Sequence, residues 1–245
     1  MIILFNRAGQ TCNQVYAIAS TIGRGHLYNH KICMPIIDNN LFNVFNIDLD
    51  ERDYIGNSTI LLFISKILNR IYKSHFDINT KKKNYIITDW KDAVDDYALK
   101  NDRDNILKKI TFKSYDINTI NKFFCENIRS KYIVGIHIRR GDYKEYLGGK
   151  YYYSDSDYLE WIRQIYMQEK NISFLIFSNE NINIDKFGRN EYPIHIMRGT
   201  VGQDLYAMSK CTYIIGPPST FSMWANYVGD NKLIVLKDSK QKIHI

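Results

Sequence analysis

The sequence predicts an α/β protein built on parallel sheets, and three observations carry that prediction. Tyr132 to Ile138, Phe174 to Phe177 and Tyr213 to Ile215 are short, nearly continuous apolar runs, as strands buried on both faces require. Between them lie segments with apolar residues at helical spacing, such as Tyr158, Leu159, Ile162, Ile165 and Tyr166. Explicit boundaries separate the two kinds of segment: Ser154 or Asp155 can cap that helix, and Gly216-Pro217-Pro218 breaks the chain after Ile215. Strands alternating with helices read as βαβ units, and sheets of that kind bind ligands at the carboxyl ends of their strands.

The elements follow in order. Ile2 to Phe5 is a strand, followed by a loop with Gly9 and a helix from Asn13 carrying Val15, Ile18, Ala19 and Ile22. Ile32 to Ile37 is a second strand. Ile60 to Tyr72, apolar at 60–64, 67, 68, 71 and 72, has the pattern of a buried helix. Tyr85 to Thr88 is a β-branched run ending at Asp89-Trp90. Ile117, Ile120, Phe123, Phe124 and Ile128 mark a helix before the Tyr132 strand. After Phe177 come a strand at Ile194 to Met197, a short helix at Asp204 to Lys210, a helix at Phe221 to Tyr227 and a last strand at Leu233 to Leu236. No repeat or Gly/Ser linker interrupts the series.

Composition narrows the function classes. Lysine and arginine number 33 against 26 acidic residues, a net charge of +7. That excess suits an anionic ligand, a nucleic acid or an anionic membrane surface. Lys81-Lys82-Lys83 is the densest cluster, either a solvated loop or part of an anion-attracting surface. Cys12, Cys33, Cys125 and Cys211 form no C-x-x-C pair and lie in or beside apolar segments, so buried thiols are expected rather than disulfides or zinc ligands. No apolar run approaches the roughly 18 residues of a membrane helix, and Ile2 to Phe5 is too short for a signal-peptide core. A cytoplasmic location is expected, with peripheral contact at the inner face of a membrane left open.

Three strand ends carry chemistry. The first is His137-Ile138-Arg139-Arg140-Gly141-Asp142-Tyr143. On a strand persisting to Arg140, His137 and Arg139 share one face and Arg140 takes the other. Arg139 suits a bidentate grip on phosphate, and Arg140 can pair with Asp142. One local acid does not neutralise two guanidinium groups, which argues against a purely structural pair. The second is Ser178-Asn179-Glu180, which can bind a ligand or cap a turn. The third joins Asp204 to Pro218-Ser219-Thr220-Phe221-Ser222, where a helix start with hydroxyls and N–H groups suits a diphosphate or plain capping. Glycine-rich dinucleotide and P-loop signatures are absent, as are H-E-x-x-H and G-x-S-x-G.

Together these pieces resemble the fucosyltransferases that use GDP-fucose, and most of all the α-1,2-fucosyltransferases of glycosyltransferase family 11. His137-Ile138-Arg139-Arg140-Gly141-Asp142 resembles that family's His-x-Arg-Arg-x-Asp motif. Asp204 before the Tyr213 strand, Ser219 to Ser222 after it, and Gly9 with Asn13-Gln14 heading a helix support the likeness. Gln10-Thr11-Cys12 replaces a more glycine-rich loop, and Ser178-Asn179-Glu180 stands where an Asp-rich pair is common.

The resemblance implies a GT-B-like fold: two Rossmann-like halves with parallel sheets and the active site in the cleft. Residues 1–125 would form the acceptor side, with Asn13 and Gln14 at the cleft, and residues 126–245 the GDP-fucose side. Arg139 and Asp142 would be catalytic. His137, Arg139, Arg140, Ser178, Asp204, Ser219, Thr220, Phe221 and Ser222 would bind the donor. The reaction would invert at the anomeric carbon without metal or other cofactor, placing fucose α-1,2 on a terminal galactose-type residue of a glycan acceptor. Candidate general bases are Asp142, Glu145, Asp38 and Asp89. Three other readings fit parts of the chain: another fucosyl linkage (α-1,3, α-1,6 or O-linked), a catalytically dead carbohydrate-binding relative, and a basic nucleic-acid-binding module using Tyr151-Tyr152-Tyr153 and the lysines. No RNA-binding signature accompanies the last, so no nucleic-acid partner is expected; the three tyrosines fit a sugar site or the surface better.

Overall fold

The computed structural model describes residues 1–7, 9–64 and 85–245. The Lys81-Lys82-Lys83 run and most of the helix expected over 60–72 lie outside the described residues; 60–64 are helical. The chain forms two compact units, Met1–Lys113 and Ser114–Ile245. A division after residue 125 would cut a helix that belongs wholly to the second unit, Ser114–Asn127.

The first unit runs β1 (Ile2–Leu4), α1 (Thr11–Leu27), β2 (Ile32–Met34), α2 (Leu41–Val44), β3 (Phe45–Ile47), β4 (Tyr54–Ile55), β5 (Tyr85–Ile87), α3 (Trp90–Ala93), α4 (Asp96–Asn101), α5 (Arg103–Lys109) and β6 (Ile110–Phe112). Its main sheet has the order β4-β2-β1-β5 and its strands pair in parallel. β3 and β6 form a separate antiparallel ribbon. β2 stops short of the expected Ile37, because Pro35 has no N–H to give a ladder; Ile36 makes only an isolated bridge to Asn57. Helix α1 is almost wholly buried, and Arg24 inside it is met by the Asp95 carboxylate and the Asp92 carbonyl oxygen, each at 2.7 Å. A buried guanidinium persists only with such partners.

The second unit runs α6 (Ser114–Asn127), β7 (Tyr132–Ile138), α7 (Asp155–Gln168), β8 (Ile172–Ser178), β9 (Ile194–Ile196), α8 (Val201–Ser209), β10 (Tyr213–Gly216), α9 (Thr220–Gly229) and β11 (Lys232–Val235). All five strands are parallel, in the order β11-β10-β7-β8-β9. The chain builds outward from β7 through β8 to β9, then crosses back to lay β10 on the other side of β7. The order therefore reverses between β7 and β10, the switch point at which ligands bind in such sheets.

Helix α7 covers one face of this sheet. Ser154 caps it in a reciprocal box with Asp157, which leaves Asp155 in the first turn. Tyr158, Trp161, Ile162 and Ile165 are buried against β7 and β8. Tyr153, expected at a sugar site or on the surface, is in this core, edge-on to Trp161 at 5.1 Å and to Tyr158 at 6.1 Å. Cys12 and Cys211 are buried as expected, but Cys125 is exposed. It falls five residues after buried Ile120, on the far side of α6.

Where β10 meets β7 there is no space beside Gly216. A Cβ there would lie 2.8 Å from both the Cβ and the carbonyl oxygen of His137. Gly216→Ala is expected to cost about 1–3 kcal/mol through overpacking. Thermal unfolding should show a drop in Tm of several degrees, and an unchanged Tm would mean the two strands can part without cost.

Candidate active site

The structure brings the first and third of the expected strand ends together at the switch point of the second unit. β7 ends at Ile138, so Arg139 and Arg140 lie just beyond the strand, and the chain turns at Gly141 with φ +66°. β10 ends at Gly216, and Ser219 caps α9, accepting from the Phe221 N–H at 3.3 Å. The imidazole of His137 lies against the Phe221 ring, with centroids 5.4 Å apart. Phe221 is half-buried, whereas Ser222 and Trp224 are buried; Ser222 donates to the Ser219 carbonyl oxygen at 3.1 Å.

His137 is 4% exposed, and its Nδ1 has no hydrogen-bond partner among the described residues. Burial, reinforced by the charge on Arg139, pushes its pKa down to about 3, so the ring is neutral at physiological pH. An orphaned buried nitrogen costs about 1–3 kcal/mol. A ligand group at that nitrogen would recover the loss.

The two arginines find different acids from those expected. Arg140 does not pair with Asp142: its guanidinium bonds Asp155 in the first turn of α7, and Lys186 approaches the same carboxylate at 3.1 Å. Burial raises the Asp155 pKa, but the hydrogen bonds and charges of Arg140 and Lys186 outweigh it and hold the carboxyl below its usual range. The second acid thus comes from the next helix, a partner invisible in local sequence. Arg140, expected on the donor, is occupied structurally. Arg139 takes Asp142, at 2.9 and 3.1 Å to its two oxygens. The side chain of Asp142 is 58% exposed, so an anion meeting Arg139 displaces a weak, solvated pair.

Two side chains fix this turn. Asn179 accepts from the Arg140 N–H at 2.9 Å and donates to the Arg140 carbonyl oxygen at 3.2 Å. Tyr143 donates its hydroxyl proton to the Pro218 carbonyl oxygen. Asn179, expected to bind a ligand or cap its own turn, and Tyr143, given no separate role, instead both act across the sheet on a strand end distant in sequence. Ser178 accepts from the Glu180 N–H at 3.1 Å, the turn-capping alternative. Thr220 opens α9, half-buried.

Asp204 sits in the first turn of α8, after a capping box made by Thr200 and Gln203. Its carboxylate accepts from the Gly199 N–H at 3.2 Å, and among the described residues it makes no hydrogen bond to the β7 or β10 ends. Burial pushes its pKa up to about 6, only partly opposed by that N–H. A groove of about 350 Å³ in the same unit, lined by Phe123, Ile184, Arg189, His195 and Arg198 among others, contains none of the expected donor residues.

In the first unit, Gln14 is buried as a tie: it donates to the Gly9 carbonyl oxygen and accepts from the Asp38 N–H, both at 3.3 Å. Asn13 packs against Gly9, whose φ is +76°. Among the candidate bases, Asp38 is bonded to Arg7 at 2.6 Å, which holds its pKa below the usual range. Asp89 caps α3, accepting from the Lys91 N–H. Glu145 is exposed. Among the described residues no group of three His, Cys, Asp or Glu side chains is placed to hold a metal, and no helix is long and apolar enough to cross a membrane.

The second unit thus sets an orphaned imidazole, a guanidinium and a helix start together at the switch point of a parallel sheet, the place where α/β proteins of this class bind their ligands. Residues 101–242 match the family model described as glycosyl transferase family 11, and the chain belongs to that family. It is 30% identical over 121 residues to the galactoside alpha-(1,2)-fucosyltransferase 1 of Rattus norvegicus, 44% of this chain and 31% of the relative. It is 30% identical over 115 residues to the galactoside alpha-(1,2)-fucosyltransferase 2 of Sus scrofa, 42% of this chain and 33% of the relative. The matched stretches span about a third of those relatives. The fold is similar to fucosyltransferase NodZ from Bradyrhizobium, with TM-score 0.61, 12% identity, and 92% of this chain and 91% of that one covered. It is also similar to POFUT1 in complex with GDP-fucose, with TM-score 0.63, 12% identity and 97% and 96% coverage. The architecture is of the GT-B kind, as the sequence resemblance implied.

Two outcomes test this site. His137→Leu removes the orphaned nitrogen, so thermal unfolding should find the unliganded variant as stable as the wild type or more so; clear destabilisation would mean the imidazole is already satisfied. For Asp204 the folded pKa lies above the ordinary value of 3.8. Between about pH 4 and 6 this carboxyl therefore holds a proton in the folded state that it has lost in the unfolded chain, and its own contribution to stability falls as pH rises through that window. Asp204→Asn keeps an oxygen for the Gly199 N–H. It should be more stable than wild type by about 1–3 kcal/mol at pH 7.5, and between pH 4 and 6 its stability should rise more steeply with pH than that of the wild type in denaturant titrations, because Asp204 no longer offsets the rise that the lowered His137 pKa contributes. A variant that keeps the wild-type slope would show the carboxyl to be ordinary.

Proposed function

We propose that this protein transfers L-fucose from GDP-β-L-fucose to a hydroxyl of a glycan acceptor, with inversion and without a metal ion, forming an α-1,2 link to a terminal galactose-type residue. The observation that carries the reading is the meeting of Arg139, the orphaned His137 and the start of α9 at one switch point. The matched relatives, both galactoside alpha-(1,2)-fucosyltransferases, support the linkage and the galactose-type acceptor. The similar fold of POFUT1, solved in complex with GDP-fucose, supports the donor.

In this reading the acceptor oxygen attacks the anomeric carbon, the bond from that carbon to the β-phosphate oxygen breaks, and GDP leaves with the bonding pair. The acceptor proton passes to a base or to solvent. Negative charge grows on the β-phosphate as the bond breaks, so a guanidinium fixed there stabilises the transition state more than the ground state. Arg139 supplies that charge after exchanging Asp142 for phosphate, and the positive end of the α9 dipole meets the same diphosphate. Asp142, released from its ion pair, becomes the carboxylate nearest the reaction. His137, held neutral, offers a hydrogen bond to the nucleotide without adding charge.

Arg139→Ala should lower transfer by about 10²–10³ while the protein stays folded. Arg139→Lys should also be poor, because a point charge does not replace a bidentate fork. The check is transfer from GDP-fucose to a galactose-terminated oligosaccharide, with folding followed by circular dichroism. Transfer within tenfold of wild type in a folded Arg139→Ala variant would defeat the assignment. Thermal unfolding with GDP should raise Tm by several degrees, unchanged by chelator.

A further inference from the structure

The two loops at the switch point are joined through one side chain. Tyr143 lies in the turn after β7 and is 9% exposed. Its ring carries the Arg139 guanidinium 5.6 Å from the centroid on one contact and packs on Tyr146 at 5.3 Å on another. Its hydroxyl reaches across the sheet to the other loop. There it donates to the carbonyl oxygen of Pro218, the residue before Ser219, which caps α9 by accepting from the Phe221 N–H. One side chain therefore ties the turn after β7 to the residue preceding the α9 cap, with Arg139 resting on the same ring. Burial raises the phenol pKa, so the hydroxyl keeps its proton and its donor role through the physiological range.

We infer that Tyr143 is a positioning residue. It holds Arg139 and the amino-terminal turn of α9 in fixed register, so that both meet the same diphosphate at once. Without the hydroxyl, each loop keeps its own anchor: Asn179 on the Arg140 backbone, and Ser219 on its own helix. What is lost is the distance between the two anion-binding groups. This inference rests on the assignment of the diphosphate to Arg139 and α9, and its test separates the two claims.

The experiment is a double-mutant cycle in GDP binding, measured by calorimetric titration of GDP into wild type, Arg139→Lys, Tyr143→Phe and the double variant, together with the rate of GDP release from saturating GDP-fucose. Tyr143→Phe keeps the ring and its packing and removes only the hydroxyl. It should weaken GDP about three- to tenfold, the scale of one lost hydrogen bond. At saturating donor its release rate should fall at least as much, as expected when a catalytic group is slightly misplaced. The double variant should be no weaker than the worse single variant by more than about twofold, because both changes act on the same placement. A side chain needed only for folding would lower Tm and leave both the coupling and the saturated rate untouched. Wild-type GDP affinity and release rate in Tyr143→Phe, or effects that multiply in the double variant, would overturn the positioning role. Unchanged binding and release in Arg139→Lys, or no GDP binding by the wild type, would instead overturn the diphosphate assignment itself.

Discussion

A guanidinium at the end of a buried strand must be neutralised, and the rest of the second unit's site depends on how Arg140 meets that requirement. Asp155 supplies the charge from the first turn of α7, where the helix dipole already favours a carboxylate. With Arg140 held there and its peptide group gripped on both edges by Asn179, the chain leaves β7 in one direction only. Arg139 then projects beside a solvated aspartate rather than a buried one. Two adjacent arginines thus take different parts, one tied to a carboxylate of the next helix and one paired with a solvated aspartate of its own turn.

Much of this was legible in the sequence. The apolar runs at 132–138 and 213–215 marked the two strands that flank the switch point, and their carboxyl ends marked the site. Ser154 was a readable cap because its chemistry is local. What escaped was long-range. The Arg140 partner lies 15 residues on, Asn179 lies 39 residues from the peptide it holds, and the carbonyl oxygen that Tyr143 reaches lies 75 residues away. Such pairings are set by strand order, which periodicity does not encode. Tyr153 was misjudged for a related reason: its neighbours Tyr151 and Tyr152 are more exposed, and only the start of α7 turns the third tyrosine inward.

Electrostatics divides the candidate residues further. His137 is uncharged, while Asp204 titrates close to neutrality because burial disfavours its charge. Asp38, by contrast, is held ionised by Arg7. A carboxylate so strongly paired is a weak proton acceptor. That pairing comes from a residue 31 positions away, which residue type alone does not reveal.

The stretch between these anchors has one more consequence. Residues 144–148 are exposed, a Cβ at Gly148 would meet nothing within 4 Å, and the segment is bracketed by the Tyr143 tie on one side and the Ser154 capping box on the other. Extra residues accommodated here would lengthen a surface excursion without moving the strand end or the helix start. The anchors and the excursion can therefore diverge at different rates: a lineage can reshape what this loop offers to an incoming partner while leaving the strand-end turn intact.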